Sequence, residues 1–232
     1  MNDKVIGIIG GMGPEATLNF YGKLIKMTNA KNDQEHFHVI IDSNSKTPDR
    51  TKAILSGGED PLPYMIESVK NLEKMNVDVA CITCFTAHYF IEELQKEVSY
   101  PIINALEELD IFIKSEYPLV TRVGVMCTSG TKSAGLYNKY LKDFDLIYPD
   151  EFSQENEVME SVYGKDGIKS GNKKGIPLEL LTLAGNKLIE NGAQILIAGC
   201  TEVGLLLPDF NFSVPIIDPM DVVVLKLISD GV

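Results

Sequence analysis

No apolar run in this 232-residue chain is long enough for a signal peptide or a membrane span. The opening segment MNDKVIGIIGG offers only a short hydrophobic stretch with an acid before it, which suits a first strand, so a cytoplasmic protein is expected. A basic patch is missing too. With 21 Lys and Arg against 33 Asp and Glu, the net charge of −12 repels phosphate backbones and anionic membranes, and KSGNKK is the one short basic stretch. Neither nucleic acid nor membrane is expected as a partner, while an anionic metabolite remains compatible if a few cations are well placed. Cysteine is scarce: Cys81, Cys84, Cys127 and Cys200 lie at or near the ends of apolar runs, whereas a secreted disulfide scaffold is shorter and denser in cysteine. Reduced thiols follow. His36 and His38 share a strand face with no cysteine pair or carboxylate cluster beside them, so no metal site is expected.

What the chain does have is enough apolar residue, 44%, for a substantial core, at a length that fits one large domain or two small lobes. Apolar runs at 4–9, 37–42, 77–83, 101–104, 122–127, 145–148, 194–199 and 215–218 read as strands. Helix-length amphipathic segments such as 14–29, 60–75, 131–142 and 176–190 alternate with them, which predicts an α/β fold with parallel sheets flanked by helices. Functional sites in such sheets form beyond the carboxyl ends of the strands. The polar stretch 150–175, with Gly164, Gly167, Gly171 and Gly175, reads as a helix start followed by a mobile loop able to act as a lid.

An internal echo divides the chain. VIGIIGGMGPEAT resembles RVGVMCTSGTKSAG at 122–135, and NVDVACITCFTA resembles NGAQILIAGCTEV, in the same order and at similar spacing. Any two βαβ units look alike at this level; the matching cysteines are what favour a duplication. Two lobes are therefore expected, 1–100 with a returning helix at 219–232, and 101–218.

Cys84 and Cys200 each follow a strand and precede a segment able to start a helix, a position that can lower a thiol pKa from about 8.5 toward neutrality and fit it for acid/base work. Buried, inert thiols are the plainer alternative. Two opposed thiols across a cleft suit removal of a proton from one face of a carbon and its return to the other. His88, four residues after Cys84, is a candidate for the same helix face or for a capping or core role. Cys81 and Cys84 match C-x-x-C, but Cys81 sits inside the apolar run and reads as a small buried hydrophobe.

Gly11, Met12 and Gly13 form a tight turn opening a helix. They formally match a dinucleotide fingerprint, yet Pro14 removes a backbone N–H and Glu15 places a carboxylate where a pyrophosphate would bind, so a small-molecule site is the better reading. Arg50, in the loop from Asn44 to Thr51, is a candidate carboxylate clamp, with pairing to Asp49 or another acid as the ordinary alternative. Lys169, between Gly167 and Gly171, is a second candidate cation.

Taken together, GGMGPEAT, the S-N-x-x-x-P-D-R-T loop, Cys84-x-Thr86-Ala87-His88, the G-I-K-x-G loop and Gly199-Cys200-Thr201-Glu202 resemble the aspartate/glutamate racemase family, in order and through nearly the whole chain. The resemblance implies an amino-acid racemase independent of pyridoxal phosphate and of any other cofactor, with two pseudo-symmetric α/β lobes and the active site in the cleft between them. By that likeness Cys84 and Cys200 are the acid/base pair, Arg50 and Lys169 bind substrate carboxylates, and Met12, Thr86 and Thr201 line the pocket. Gly11, Gly13, Asn44, Phe85, His88 and Glu202 support it. The GCTE form resembles aspartate racemases more than glutamate racemases, which usually have a histidine after the threonine. The expected substrate is a small acidic amino acid or dicarboxylate, and the expected assembly a homodimer. Two positions depart from the family pattern: Phe85 stands where asparagine usually offers hydrogen bonds to the bound amino acid, and Cys127 where alanine is usual. A maleate isomerase-like or hydantoin racemase-like enzyme would use the same fold, and a non-catalytic amino-acid or dicarboxylate binder would keep the cleft without the chemistry.

Overall fold

The structure is a computed structural model that describes residues 4–231. Aliphatic and β-branched runs, which favour a pleated and buried backbone, supply its strands. In the first half β1 (Val5–Gly10), β2 (His38–Ser43), β3 (Val79–Ile82) and β4 (Ile102–Ile103) form a parallel sheet ordered β2-β1-β3-β4. The second half repeats the plan: β5 (Arg122–Met126), β6 (Asp145–Ile147), β7 (Ile195–Ala198) and β8 (Ile216–Ile217) form a parallel sheet ordered β6-β5-β7-β8. The echo in the sequence is thus an echo in topology, and β3 and β7 occupy equivalent places.

Helices cover both faces of each sheet, as a parallel sheet requires. The first lobe carries α1 (Pro14–Thr28), α2 (Arg50–Ser56), α3 (Leu62–Lys74) and α4 (Ile91–Lys96), and α5 (Ala105–Glu116) leads into the second sheet. There follow α6 (Ser129–Ser133), α7 (Leu136–Tyr140), α8 (Glu151–Ser153), α9 (Glu160–Tyr163), α10 (Ile176–Glu190), α11 (Thr201–Gly204) and α12 (Pro219–Gly231). Their starts are written in the sequence. Pro14 opens α1, where a missing N–H costs nothing, and side-chain oxygens of Asp49, Asn104, Thr128 and Asp150 accept the first free backbone N–H groups of α2, α5, α6 and α8.

The first sheet packs on α3 and α4 through Met65, Val69, Leu72, Ile91 and Leu94, and on α1 and α12 through Phe20, Leu24, Val223, Val224 and Leu227. The second packs on α10 through Leu181, Ala184 and Leu188, and on α5 and α7 through Leu106, Leu109, Ile113 and Tyr137. Both α5 and α12 serve two cores: Ala105 and Met220 belong to the first, Leu106 and Val222 to the second. These two helices pack on each other as a shared layer between the sheets.

Two expectations change in detail. The helix predicted over 131–142 is two short helices, because Gly135 at φ +62° turns the chain out of the right-handed region between α6 and α7. The stretch from 150 is more helical than its polarity suggested: α8, a π-helix at Gln154–Met159 and α9 run continuously, burying Ser153, Gln154, Glu157, Val158, Ser161 and Val162. The loop after it is pinned by Ile168 in the second core and by a Lys173–Glu15 ion pair to α1.

Close approach between the lobes depends on Gly130. A Cβ there would lie 2.8 Å from Thr51 Cα on α2, and backbone cannot yield as a flexible side chain can. Gly22 is the opposite case, exposed inside α1 with nothing within 4 Å of its missing Cβ. Gly130→Ala is expected to lower stability by about 1–3 kcal/mol through overpacking, and Gly22→Ala to raise it by about 0.5–1 kcal/mol through helix propensity. Urea unfolding of the two variants checks the opposite signs.

Candidate active site

Cys84 lies two positions past Ile82, the last residue of β3, and Cys200 two past Ala198, the last residue of β7. The matched offset from equivalent strands brings both thiols to one small cavity at the carboxyl edges of the two sheets. Met12, Arg50, Phe85, Thr86, Thr128, Tyr163, Lys169, Thr201 and Glu202 complete its wall. At about 10 Å³ it has room for no more than one water. A second cavity of about 320 Å³ shares Met12, Arg50, Lys169 and Glu202 with it and opens outward along Gly11–Ala16, Asp49, Ile168 and Leu205.

The first lobe's wall is built on the glycine turn. Gly11, at φ +86°, brings the backbone so near Asn44 that a Cβ would meet the Asn44 carbonyl carbon at 2.4 Å. Thr17 Oγ1 accepts from Gly11 N–H at 2.9 Å and bonds Thr83 Oγ1 at 2.9 Å, tying the turn to α1 and to the segment before Cys84. Asn44 itself stands behind Gly11, its side chain accepting from Lys46 N–H, and lines neither cavity. Gly13 lies beside the Lys169–Glu202 pair.

Arg50, 7% exposed, donates through Nη2 to Met12 O at 2.9 Å and through Nη1 to Pro48 O at 3.0 Å and Thr47 O at 3.3 Å. Among the described residues its buried Nε–H has no hydrogen-bond partner and Arg50 makes no salt bridge, with Asp49 or any other acid. Burial, the largest influence, pulls the guanidinium pKa down, but the Cys84 sulfur, Tyr163 and Asp49 outweigh it and leave the pKa raised. A buried donor without a partner is costly, and here it lies at the wall of a cavity.

Opposite, Lys169 Nζ pairs with Glu202 Oε1 and sits 5.5 Å from the ring centroid of Tyr163. Glu202 Oε2 accepts from the Cys200 thiol at 2.9 Å and from Thr201 Oγ1 at 3.1 Å. Burial pushes the Glu202 carboxyl up, yet Lys169 and the Cys200 hydrogen bond prevail and keep it below its usual range. Burial likewise pulls Lys169 down, while Glu202, Cys200 and Cys84 bring it above its usual value. The expectation that a helix start lowers the Cys200 thiol is corrected: burial first, and the Glu202 carboxylate second, raise it well above the free value against the pull of Lys169. Four-residue α11 is too short to offset a carboxylate in contact.

Threonine hydroxyls close the seam. Thr86 Oγ1 bonds Thr128 Oγ1 at 3.1 Å and Thr131 Oγ1 at 2.9 Å across the lobes, and the latter two bond each other at 3.0 Å. Thr128 and Tyr163 line the site but went unmarked in the sequence. Thr128 falls in the segment that echoes the glycine turn, a signal that was present; Tyr163, at the end of a polar helix, carried none. Phe85, 1% exposed, packs its side chain with Ile8, Phe20, Cys81, Met220 and Val223. His88 also stands apart from the cavities: Ala105 N–H donates to Nε2 at 3.2 Å, so Nδ1 carries the proton and donates to Cys84 O at 2.9 Å. Cys81 and Cys127 are buried thiols, and burial pushes Cys127 up to about 12.

Against known proteins, the model for the Asp/Glu/hydantoin racemase family matches residues 9–227. The chain is 29% identical over 221 residues to the broad specificity amino-acid racemase RacX of Bacillus subtilis (strain 168), covering 92% of each chain. Among solved structures it resembles the Picrophilus torridus aspartate racemase at 26% identity and a TM-score of 0.80, covering 97% of this chain and 94% of that one. An aspartate racemase homologue from Pyrococcus horikoshii OT3 superposes at a TM-score of 0.76 and 25% identity, over 100% and 99% of the two chains.

Burial holds His88 neutral, with a pKa down at about 4 against 6.5 when free. The folded state then binds fewer protons than the unfolded one, so this contribution is complete above pH 6.5 and is lost as pH falls toward 4. Urea unfolding of wild type and His88→Asn across this range should show their stability difference shrinking by about 3 kcal/mol on acidification. A difference independent of pH would contradict the buried neutral imidazole.

Proposed function

We propose that this chain, which belongs to the Asp/Glu/hydantoin racemase family, inverts the α-carbon of an acidic amino acid, aspartate or glutamate, with Cys84 and Cys200 as the two acid/base groups and without a cofactor. The observation that carries the reading is the placement of both thiols, from equivalent strands of two similar sheets, on the wall of one cavity. One thiolate removes the α-proton, and the facing thiol delivers its own proton to the opposite face. The carbanion formed between the two steps needs electrostatic stabilisation. The Arg50 Nε–H, unpartnered at the cavity wall, suits the substrate's α-carboxylate, and Lys169 and backbone N–H groups near the starts of α1 and α11 add to the positive field.

An acidic side chain would meet Lys169 on displacing Glu202 from it. A wider range of side chains is the second reading. It is supported by the 320 Å³ outer cavity with Met12, Pro14, Ala16, Ile168 and Leu205 on its wall, by the engagement of Lys169 with Glu202, and by the likeness to a broad specificity racemase. The inner cavity is too small for an amino acid, so substrate entry requires the Tyr163–Lys169 wall to swing outward. The same proposal takes the lobes as 1–100 with 219–232 and 101–218, and the working form as a cytoplasmic homodimer.

In deuterated water, L-aspartate should acquire deuterium at Cα as the D-enantiomer appears, followed by NMR and chiral chromatography. Cys84→Ala and Cys200→Ala should each reduce racemisation by about 10³-fold or more. Absence of exchange with aspartate, glutamate and a panel of neutral and basic amino acids would sink the proposal, and exchange with the neutral or basic ones alone would favour the second reading.

A further inference from the structure

The two thiols are matched in position but not in surroundings. Cys200 Sγ lies 2.9 Å from a carboxylate oxygen of Glu202, and a carboxylate only accepts hydrogen bonds, so the proton is on sulfur. Glu202 is held in that role: it is 4% exposed, its other oxygen is taken by Lys169, and Thr201 donates to the oxygen that faces the thiol. Among the described residues no acid stands in the same relation to Cys84. The Arg50 guanidinium lines the same cavity and interacts with the Cys84 sulfur, and Lys169 adds to the positive field there. The ionisable groups facing Cys200 are Glu202 from its own helix, Lys169 from the segment after α9, Tyr163 from α9 and Tyr137 from α7. Those facing Cys84 are Arg50, Lys169 and Tyr163.

We infer that Glu202 is a positioning residue that keeps Cys200 protonated in the free enzyme, so that Cys84 is the resting proton acceptor and the enzyme is set for the substrate enantiomer whose α-hydrogen faces Cys84. This rests on the two-thiol reading above. In that direction the Cα–H bond breaks as the Cys84 S–H bond forms, and the Cys200 S–H bond breaks as its proton joins the opposite face of Cα. Product then leaves Cys84 as a thiol and Cys200 as a thiolate against the Glu202 carboxylate. The opposite enantiomer must meet this second form. Lys169, already bridged to Glu202, is the cation placed to tolerate it.

Alkylation tests the assignment without turnover. Both cysteines are 6% exposed and line the same cavity, and the pH dependence of each labelling rate separates ionisation from access. A short iodoacetamide pulse on the full chain, quantified by peptide mass spectrometry from pH 6 to 10, should label Cys84 about tenfold or more faster than Cys200 near pH 7. In Glu202→Gln the Cys200 labelling curve should move to lower pH, with Cys200 labelling near pH 7 rising about tenfold and Cys84 labelling within about twofold of wild type. Equal labelling in the wild-type protein, or faster labelling of Cys200, overturns the inference even if the variant fails to fold. A Cys200 curve unmoved in folded Glu202→Gln overturns it as well. Isotope exchange at Cα in a protein that labels symmetrically would leave the racemase reading standing and remove this one.

Discussion

The structure depends on one close approach: the carboxyl edges of two parallel sheets meet face to face, with Gly130 against Thr51 and the Thr86, Thr128 and Thr131 hydroxyls bonded across the seam. Everything at the site follows from how near those edges come. Polar groups buried at such a seam must find partners or pay the cost of lost hydration, and the threonines satisfy one another. A hydroxyl donates and accepts, so three of them close a ring that carries no net charge.

Within the seam the charges are arranged as a chain. Arg50 is held by three backbone carbonyls beside Cys84; Lys169, Glu202 and Cys200 form a second, linked set. The protein carries a net charge of −12, which repels an acidic metabolite at long range. Local geometry opposes that field: the cations Arg50 and Lys169 lie on the cavity wall, and among the described residues Glu202 is the one carboxylate that lines it with them. Mutual attraction in a water-poor setting keeps all three groups ionised against the cost of burial.

Much of this was legible in the amino-acid sequence because it rested on strong local signals. Alternation of apolar runs with amphipathic segments gave both sheets, and the glycine turns and strand-end cysteines located the edge where a site belongs. Residues such as Arg50, Lys169 and Glu202 were marked by the motifs around them. What the sequence hid was partnership. Nothing in GCTE says that the glutamate turns back onto the cysteine two residues earlier, nor that this contact outweighs a short helix start and raises the thiol. Phe85 stands at the cavity where the family pattern has asparagine, and the sequence did not show that it also packs in the core under α1 and α12. Tyr163 was silent because its role comes from the fold of a polar segment over the second sheet, which carries no periodic signal in sequence.

The central claim is that a substrate α-carbon lies between the sulfurs of Cys84 and Cys200. A crystal structure with an amino acid bound, in Cys84→Ser or Cys200→Ser to halt turnover, tests it most directly. The account predicts Cα on the line between the two side chains, each sulfur or its serine replacement about 3.5 Å away and on opposite faces of the carbon, with the carboxylate on Arg50. Both side chains on one face of Cα, or an amino acid bound in the outer cavity beyond reach of either, would contradict it.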